Sequence, residues 1–392
     1  MKKLQILILS FVLVTINLSA QIVIEGSISF NNKPIESATV YLNNTSIGTI
    51  TNTNGEFSLE VNEGEYQLII SYIGLKKIEY ALDTSKYDKP LTFLLAKEEF
   101  VLDEIVVTNK KNDRDRPYHL SRFISAFIGT GDLSKQCKIK NPDVLFFDYD
   151  KSKRHLTAEA YEPLIVENKT LGYKIHYDLK YFSLDNKYVK YLGYTYFKEF
   201  KGKQKRWQKN RLKAYLGSQR HFYKSVLENT TKEEGFIIHQ FARKHRTKEE
   251  IRKEQEAKNP FKGTFVSNFN PIKESERIDG INVPKYKDYL YKSDMPSSDI
   301  VVIEDNIPYL QFKDNIIVVY TKEKEERSYI IQNGETRKRY PQTSNVLPLT
   351  EKTAIHATGI LANPLSVIYE GYWGYEKFAY TLPLDYKPII KK

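Results

Sequence analysis

The sequence predicts two folded parts: an all-β N-terminal sandwich, then an α+β domain with an antiparallel sheet and a long basic helix. Three observations carry this. Residues 22–95 hold seven short β-rich segments at close spacing, with turn residues between them and no helical periodicity. Residues 173–181 alternate strictly between apolar and polar side chains, the mark of a strand with one buried face. Residues 206–228 place apolar side chains three and four apart, which is the helical period.

In the first part, Ile22–Phe30 leads into a turn at Asn31-Asn32-Lys33-Pro34. Ala38–Leu42 and Gly48–Thr51 follow, and Asn54-Gly55 marks a tight turn because both residues tolerate positive φ. Phe57, Leu59 and Val61 alternate along the next strand, and Tyr66–Ile73, Lys77–Leu82 and Leu91–Leu95 complete the set. Many short strands without helices point to a sandwich.

The order of four segments makes this part specific: Pro34-Ile35-Glu36-Ser37-Ala38-Thr39-Val40, Ser46-Ile47-Gly48-Thr49, Thr51-Asn52-Thr53-Asn54-Gly55-Glu56-Phe57 and Ile70-Ser71-Tyr72-Ile73-Gly74. It resembles the carboxypeptidase-regulatory-like domains, transthyretin-like (Ig-like) sandwiches common in envelope proteins of Bacteroidota. The resemblance covers about a quarter of the chain and implies an accessory module that is not itself catalytic. Leu102–Thr108 also resembles the segment that joins such a domain to the plug of outer-membrane receptors. Only 284 residues follow Thr108, whereas a barrel of about 22 strands at ~10 residues each needs well over ~400 with its turns.

Lys2 and Lys3, the apolar run Leu4 to Ile16 and Leu18-Ser19-Ala20 have the layout of a secretory signal, residues 1–20, cut before Gln21. An uncleaved anchor is the alternative. The expected domains are then 21–108 for the sandwich, 109–131 for a linker with a short helix, and 132–392 for the α+β part. A helix is expected over Tyr118–Ile128, stopped by Gly129-Thr130-Gly131. Arg206–Glu228 is expected as the long basic helix, with Gly217 offering a break and Ser218 a cap for a second half. Thr247–Lys258 is a charged helix with Glu249–Lys253 and Glu254–Lys258 pairs. Ile300–Ile303, Tyr309–Phe312, Ile316–Tyr320 and Tyr329–Gln332 are expected strands. Pro163–Tyr173, Arg206–Arg211 with Ala214-Tyr215, and Leu382–Tyr386 resemble segments found behind the same sandwich in uncharacterised proteins, which implies no activity.

Charge is unevenly distributed. Residues 21–108 hold 6 Lys against 13 acidic residues, whereas Lys198–Lys253 holds 17 basic residues against 6 acidic ones. The lone Cys137 excludes an internal disulfide, so the domains stand on packing. None of the seven histidines forms His-Glu-x-x-His or a His-x-x-Glu pair. His176 and Asp178 share a strand face and could hold one metal between them, but Lys174 and Lys180 on that face would repel it. There is no Gly-x-Ser-x-Gly elbow and no phosphate loop.

The remaining chemical signal is a basic cluster: Lys205, Arg206, Lys209, Arg211, Lys213, Arg220 and Lys224, with Trp207 among them. Such a surface attracts polyanions, and its bland counterpart is a solvated helix face. Tyr372 and Trp373 could stack on a sugar ring or pack in a core. The expectation is a non-catalytic exported envelope protein, periplasmic or outer-membrane-associated. It pairs an accessory sandwich with a partner-binding domain and needs no cofactor. Its partner would be an envelope protein, anionic lipid, lipopolysaccharide or glycan, and the export signal argues against nucleic acid. The alternatives are an envelope hydrolase of peptidase or glycosidase type with its site in 132–392, and a small outer-membrane barrel.

Overall fold

The computed structural model describes residues 21–97, 114–186, 188–257, 275–278, 281–284 and 286–389. The signal segment and Leu102–Thr108 lie outside these residues. The chain divides into two compact units, Met1–Thr108 with Tyr194–Phe197, and Asn109–Gly193 with Lys198–Lys392.

The first unit has eight strands before residue 98: β1 Ile22–Phe30, β2 Lys33–Pro34, β3 Thr39–Leu42, β4 Gly48–Ile50, β5 Glu56–Val61, β6 Glu65–Ser71, β7 Ile78–Asp83 and β8 Leu91–Leu94. They form two four-stranded sheets, β2-β1-β5 with β8 beside β1, and β4-β3-β6-β7. All pairs are antiparallel except β1–β8, which runs parallel. Phe57, Leu59 and Val61 face inward with Ile24, Ile28, Val40, Leu68, Ile70 and Phe93, so the alternation in β5 is the core of the sandwich. The expected turn at Asn54-Gly55 is built around Asn52, whose side-chain oxygen accepts the Asn54 and Glu56 N–H groups at 2.9 Å each. Only Gly55 takes positive φ there, and a Cβ on it would meet the Ile28 carbonyl oxygen at 2.5 Å. Thr51 is buried for a related reason: its hydroxyl donates to the Ile35 carbonyl at 2.6 Å and accepts from the Ala38 N–H at 2.9 Å.

The second unit opens with helix α1, Arg116–Phe127, which ends at Gly129 with φ +91. Strands β9 Cys137–Ile139, β10 Leu145–Asp150, β11 His155–Ala160, β12 Leu164–Asn168, β13 Tyr173–Leu184 and β14 Val189–Glu199 form a sheet ordered β10-β11-β13-β12-β9, with β14 beside β13. Helices α2 Gln204–Tyr215, α3 Gln219–Leu227 and α4 Thr231–Glu234 precede β15 Phe236–His245 and α5 Lys248–Ala257. Thr247 and Glu250 make a reciprocal capping box at the start of α5. The rest comprises β16 Ser275–Ile278, β17 Ile281–Pro284, β18 Tyr286–Lys292, β19 Val301–Glu304, β20 Ile307–Leu310, β21 Asn315–Lys324, α6 Arg327–Gln332, β22 Pro341–Pro348, β23 Thr353–His356, β24 Ile360–Leu361, β25 Val367–Gly371 and α7 Tyr372–Tyr375. A five-stranded sheet, β18-β15-β21-β22-β25, packs Phe236, Ile238, Val318 and Val346 against Phe222 and Trp373. β19-β20-β23-β24 form a four-stranded sheet and β16-β17 a hairpin.

Several expectations need correction here. The second unit is β-rich with few helices, and its long basic helix is two short ones. Gly217 lies between them at φ +75, and its N–H donates to the buried His221 Nδ1 at 3.1 Å, while Ser218 caps α3 by accepting the His221 N–H. Because Nδ1 accepts, the His221 proton sits on Nε2 and is directed at Glu234, 3.0 Å away. A Cβ at Gly217 would stand 2.4 Å from Gln342 Oε1 and 2.6 Å from the Tyr320 ring. Gly217→Ala is therefore expected to lower stability by roughly 1–3 kcal/mol, read from the midpoint of chemical denaturation.

Tyr329–Gln332 is helix α6 rather than a strand, burying Tyr329 and Ile330 against Tyr372 and Tyr375 and leaving Ile331 exposed. Along β13 the alternation slips, so that Tyr181 is exposed and Asp178 and Phe182 are buried. Among the described residues, the strands of the second unit fall into four separate sheets, and the five-stranded one buries an apolar face in the core. That is not one closed barrel, which would turn its apolar face to lipid.

Candidate functional site

The seven cations of the basic cluster do not share one surface. Arg211 is buried. Its Nε donates to the Leu171 carbonyl at 2.8 Å, its Nη1 meets Glu199 at 2.7 Å, and the guanidinium lies 3.9 Å from the centre of the Tyr173 ring. Trp207 is buried too, its indole N–H donating to the Lys169 carbonyl at 3.1 Å, and Asn210 donates to the Thr170 carbonyl at 2.7 Å. Three successive carbonyls of the β12–β13 turn are thus clamped by one face of α2.

Arg220 is half-buried and donates to the carbonyls of Thr358, Pro383, Leu384 and Tyr386, which pins the C-terminal segment. Lys224 pairs with Glu228 one turn on, at 3.6 Å. Lys213 is exposed but donates to the buried Glu326 at 2.6 Å. Arg211, Arg220 and Lys213 therefore hold the fold, while the Lys224–Glu228 pair is a surface contact within α3.

Lys205, Arg206 and Lys209 are exposed on the opposite face of α2, without an ion pair among the described residues. Lys201 and Lys203 extend them into the preceding loop. This charge surrounds the N-terminal half of α2, whose first turn has no acidic residue. A helix N-terminus disfavours cations by ~0.3–1 kcal/mol each, so this placement opposes local stability.

The strand register adds cations that sequence reasoning missed. Lys138 of β9 stands opposite Glu167 of β12, which stands opposite Lys174 of β13. Lys138, Lys140 and Lys169 are exposed. His176 is half-buried on the same face as Lys174. Burial first, and then the charges of Lys198 and Lys174, push its imidazolium down to about 4, so it is neutral near pH 7. The lysines of β13 were legible in the alternation, but their apposition to β9 was not.

His176 and Asp178 differ in setting. Asp178 is buried where the alternation slips, and His176 sits beside lysines. Among the described residues, no three His, Cys, Asp or Glu side chains gather around a possible metal position. Burial pushes the Cys137 thiol up to about 12, which leaves it a poor nucleophile. Tyr372 and Trp373 are also inside, at 1% and 3% exposure. The Trp373 indole N–H donates to the Gly217 carbonyl, so these rings are core and offer no stacking face.

Buried ionisable side chains do converge at one place. Glu326 accepts from Lys213, the Asp132 N–H at 2.9 Å, the Tyr375 hydroxyl at 2.8 Å and the Tyr380 hydroxyl at 2.7 Å. Ser328 lies 2.7 Å from the Tyr375 hydroxyl but 3.3 Å from Asp132 and 3.5 Å from Glu326. A serine nucleophile needs a free base within ~3.2 Å, and Glu326 is saturated by donors. The node reads as structural.

Residues 24–107 match the family model of the CarboxypepD_reg-like domain, so the first unit carries a domain of that family. No curated protein is significantly similar to the chain. Among solved structures, a type II cohesin–X-dockerin complex from Acetivibrio cellulolyticus is similar at 21% identity, covering 19% of this chain and 57% of that one, with a TM-score of 0.18. A 9R-lipoxygenase from Cyanothece PCC8801 is similar at 9% identity, covering 53% of this chain and 49% of that one, with a TM-score of 0.15. This chain thus spans about half the length of each.

Proposed function

We propose that this is a non-catalytic exported envelope protein, periplasmic or peripheral to the outer membrane, in which a CarboxypepD_reg-like accessory domain is joined to a unit that binds an anionic partner. The observation that carries the reading is the unpaired cation cluster Lys205, Arg206 and Lys209 on a helix whose other face is clamped to the β12–β13 turn. A rigidly seated helix fixes the backbone from which these charges project, which lowers part of the ordering cost of engaging a ligand. The hydrolase alternative gains no support from Glu326, whose acceptor capacity is spent on structural donors.

The test is charge reversal. K205E/R206E/K209E is expected to melt at or slightly above wild type, because these side chains make no hydrogen bond or ion pair among the described residues and acidic residues suit a helix N-terminus, yet to elute from a sulfated resin at markedly lower salt. Co-elution of wild type and variant would refute the assignment of α2.

A further inference from the structure

We infer that the anionic ligand is a linear acidic polysaccharide that bends around the end of the β9-β12-β13 sheet, touching α2 on one side and Lys138 and Lys174 on the other. The inference rests on the α2 reading above and extends it to a second set of contacts. Register fixes the geometry. Cys137, Asn168 and Tyr173 share one face of the three strands, and the Arg211 guanidinium of α2 stacks on the Tyr173 ring of that face. Lys138, Glu167 and Lys174 are each one residue away and so point to the opposite face. Between the two sides runs the β12–β13 turn, where Lys169 is exposed and its carbonyl carries the Trp207 indole. Cations therefore lie on one side of the sheet end (Lys138 and Lys174), at its turn (Lys169), and on the outer face of the helix that covers the other side.

This placement chooses among polyanions. A membrane is a plane and cannot reach both faces of one sheet end at once. Peripheral membrane binding also draws on exposed apolar side chains that insert between head groups. Among the described residues, none of the exposed large hydrophobic side chains lies in β9, the β12–β13 turn or α2, and Trp207 is buried. A flexible chain of acidic sugars, held by counterion release alone, suits such a surface. Glu167 is the one carboxylate in the Lys138–Lys174 row and opposes the ligand's charge.

The experiment measures affinity for alginate, a linear polyuronate, beside neutral dextran and phosphatidylglycerol vesicles, as salt is varied. Wild type is expected to bind alginate and not dextran. K138E/K174E should weaken binding by roughly tenfold and flatten the log–log salt slope by about two, as removing two polyanion contacts does. E167Q should tighten binding about two- to threefold, and as a near-isosteric change at a half-buried position it tests the same row independently should the double variant misfold. If K205E/R206E/K209E loses alginate while K138E/K174E and E167Q bind like wild type, the sheet contacts are refuted and the α2 reading stands. Binding to vesicles but not alginate would overturn the polysaccharide assignment, and binding to neither would overturn both readings.

Discussion

Replacing Glu326 with alanine is expected to cost the second unit about 3–5 kcal/mol, the largest loss we expect from one side chain outside the apolar core. The carboxylate is 3% exposed and accepts two tyrosine hydroxyls and the Asp132 N–H; without it the Tyr380 hydroxyl and the Asp132 N–H lose this acceptor, while the Tyr375 hydroxyl keeps Ser328 at 2.7 Å. Lys213 is 42% exposed and can return to water, so its ion pair supplies the smaller share. Burial pushes the Glu326 carboxyl up, but Lys213, the Asp132 N–H and Tyr380 more than offset it and hold it below its usual range. A carboxylate lowered in the folded state contributes fully above its unfolded value, ~4.3, and the contribution disappears as pH falls through the folded value. Glu376 acts with the opposite sign. Burial, then the charges of Glu326 and Glu323, hold it well above its ordinary value, so it opposes folding as pH rises through its unfolded value towards the folded one. Denaturant titrations at pH 7 and near pH 3.5 should therefore give wild type and Glu326→Ala a smaller difference in acid. An equal difference at both pH values would contradict this balance.

Glu370→Ala is expected to cost about 2–3 kcal/mol for a different reason: it takes one of two carboxylates from a largely buried guanidinium and leaves Asp288 as the remaining partner. Arg243 donates to Glu370 through Nη1 at 2.9 Å and Nη2 at 3.0 Å, and to Asp288 through Nε at 2.8 Å and Nη2 at 2.9 Å. The Glu370 carboxylate has no exposed surface, and Asn345 and Tyr188 complete its donors at 3.2 and 3.4 Å. Replacing both partners, Arg243→Met with Glu370→Leu, removes the under-paired charge and should cost less than the sum of the Arg243→Met and Glu370→Leu single changes. A double-mutant cycle read by chemical denaturation checks this; simple additivity would mean that the pair is not coupled.

What was legible in the sequence followed from period and turn chemistry. Seven sandwich strands, the stop at Gly129, and the Gly217 break with its Ser218 cap could be read locally, because each depends on residues within one turn of chain. Tyr329–Gln332 could not, since a four-residue apolar run fits a strand or a helix equally, and the choice is made by Tyr372 and Tyr375 from elsewhere in the chain. The run Glu323-Lys324-Glu325-Glu326 looks like a solvated charge tract, yet Glu325 and Glu326 are buried, Glu325 in a fork with Arg337 at 2.6 and 3.0 Å. Burial of that kind is decided by distant donors. The same holds for Arg211 and Arg220, which look like surface cations beside Lys205 and Lys209 but spend their donors on backbone carbonyls. Of the proposed binding surface, the α2 half is legible in the sequence and the Lys138–Lys174 half is not, since it exists only through strand register.

The most direct measurement is the affinity of the intact protein for a sulfated polymer as salt is raised over roughly 50 to 300 mM. We expect log affinity to fall linearly with log salt, and more shallowly once Lys205, Arg206 and Lys209 are reversed in charge. An affinity indifferent to salt, or no binding even at the lowest concentration, would contradict a polyanion-binding unit.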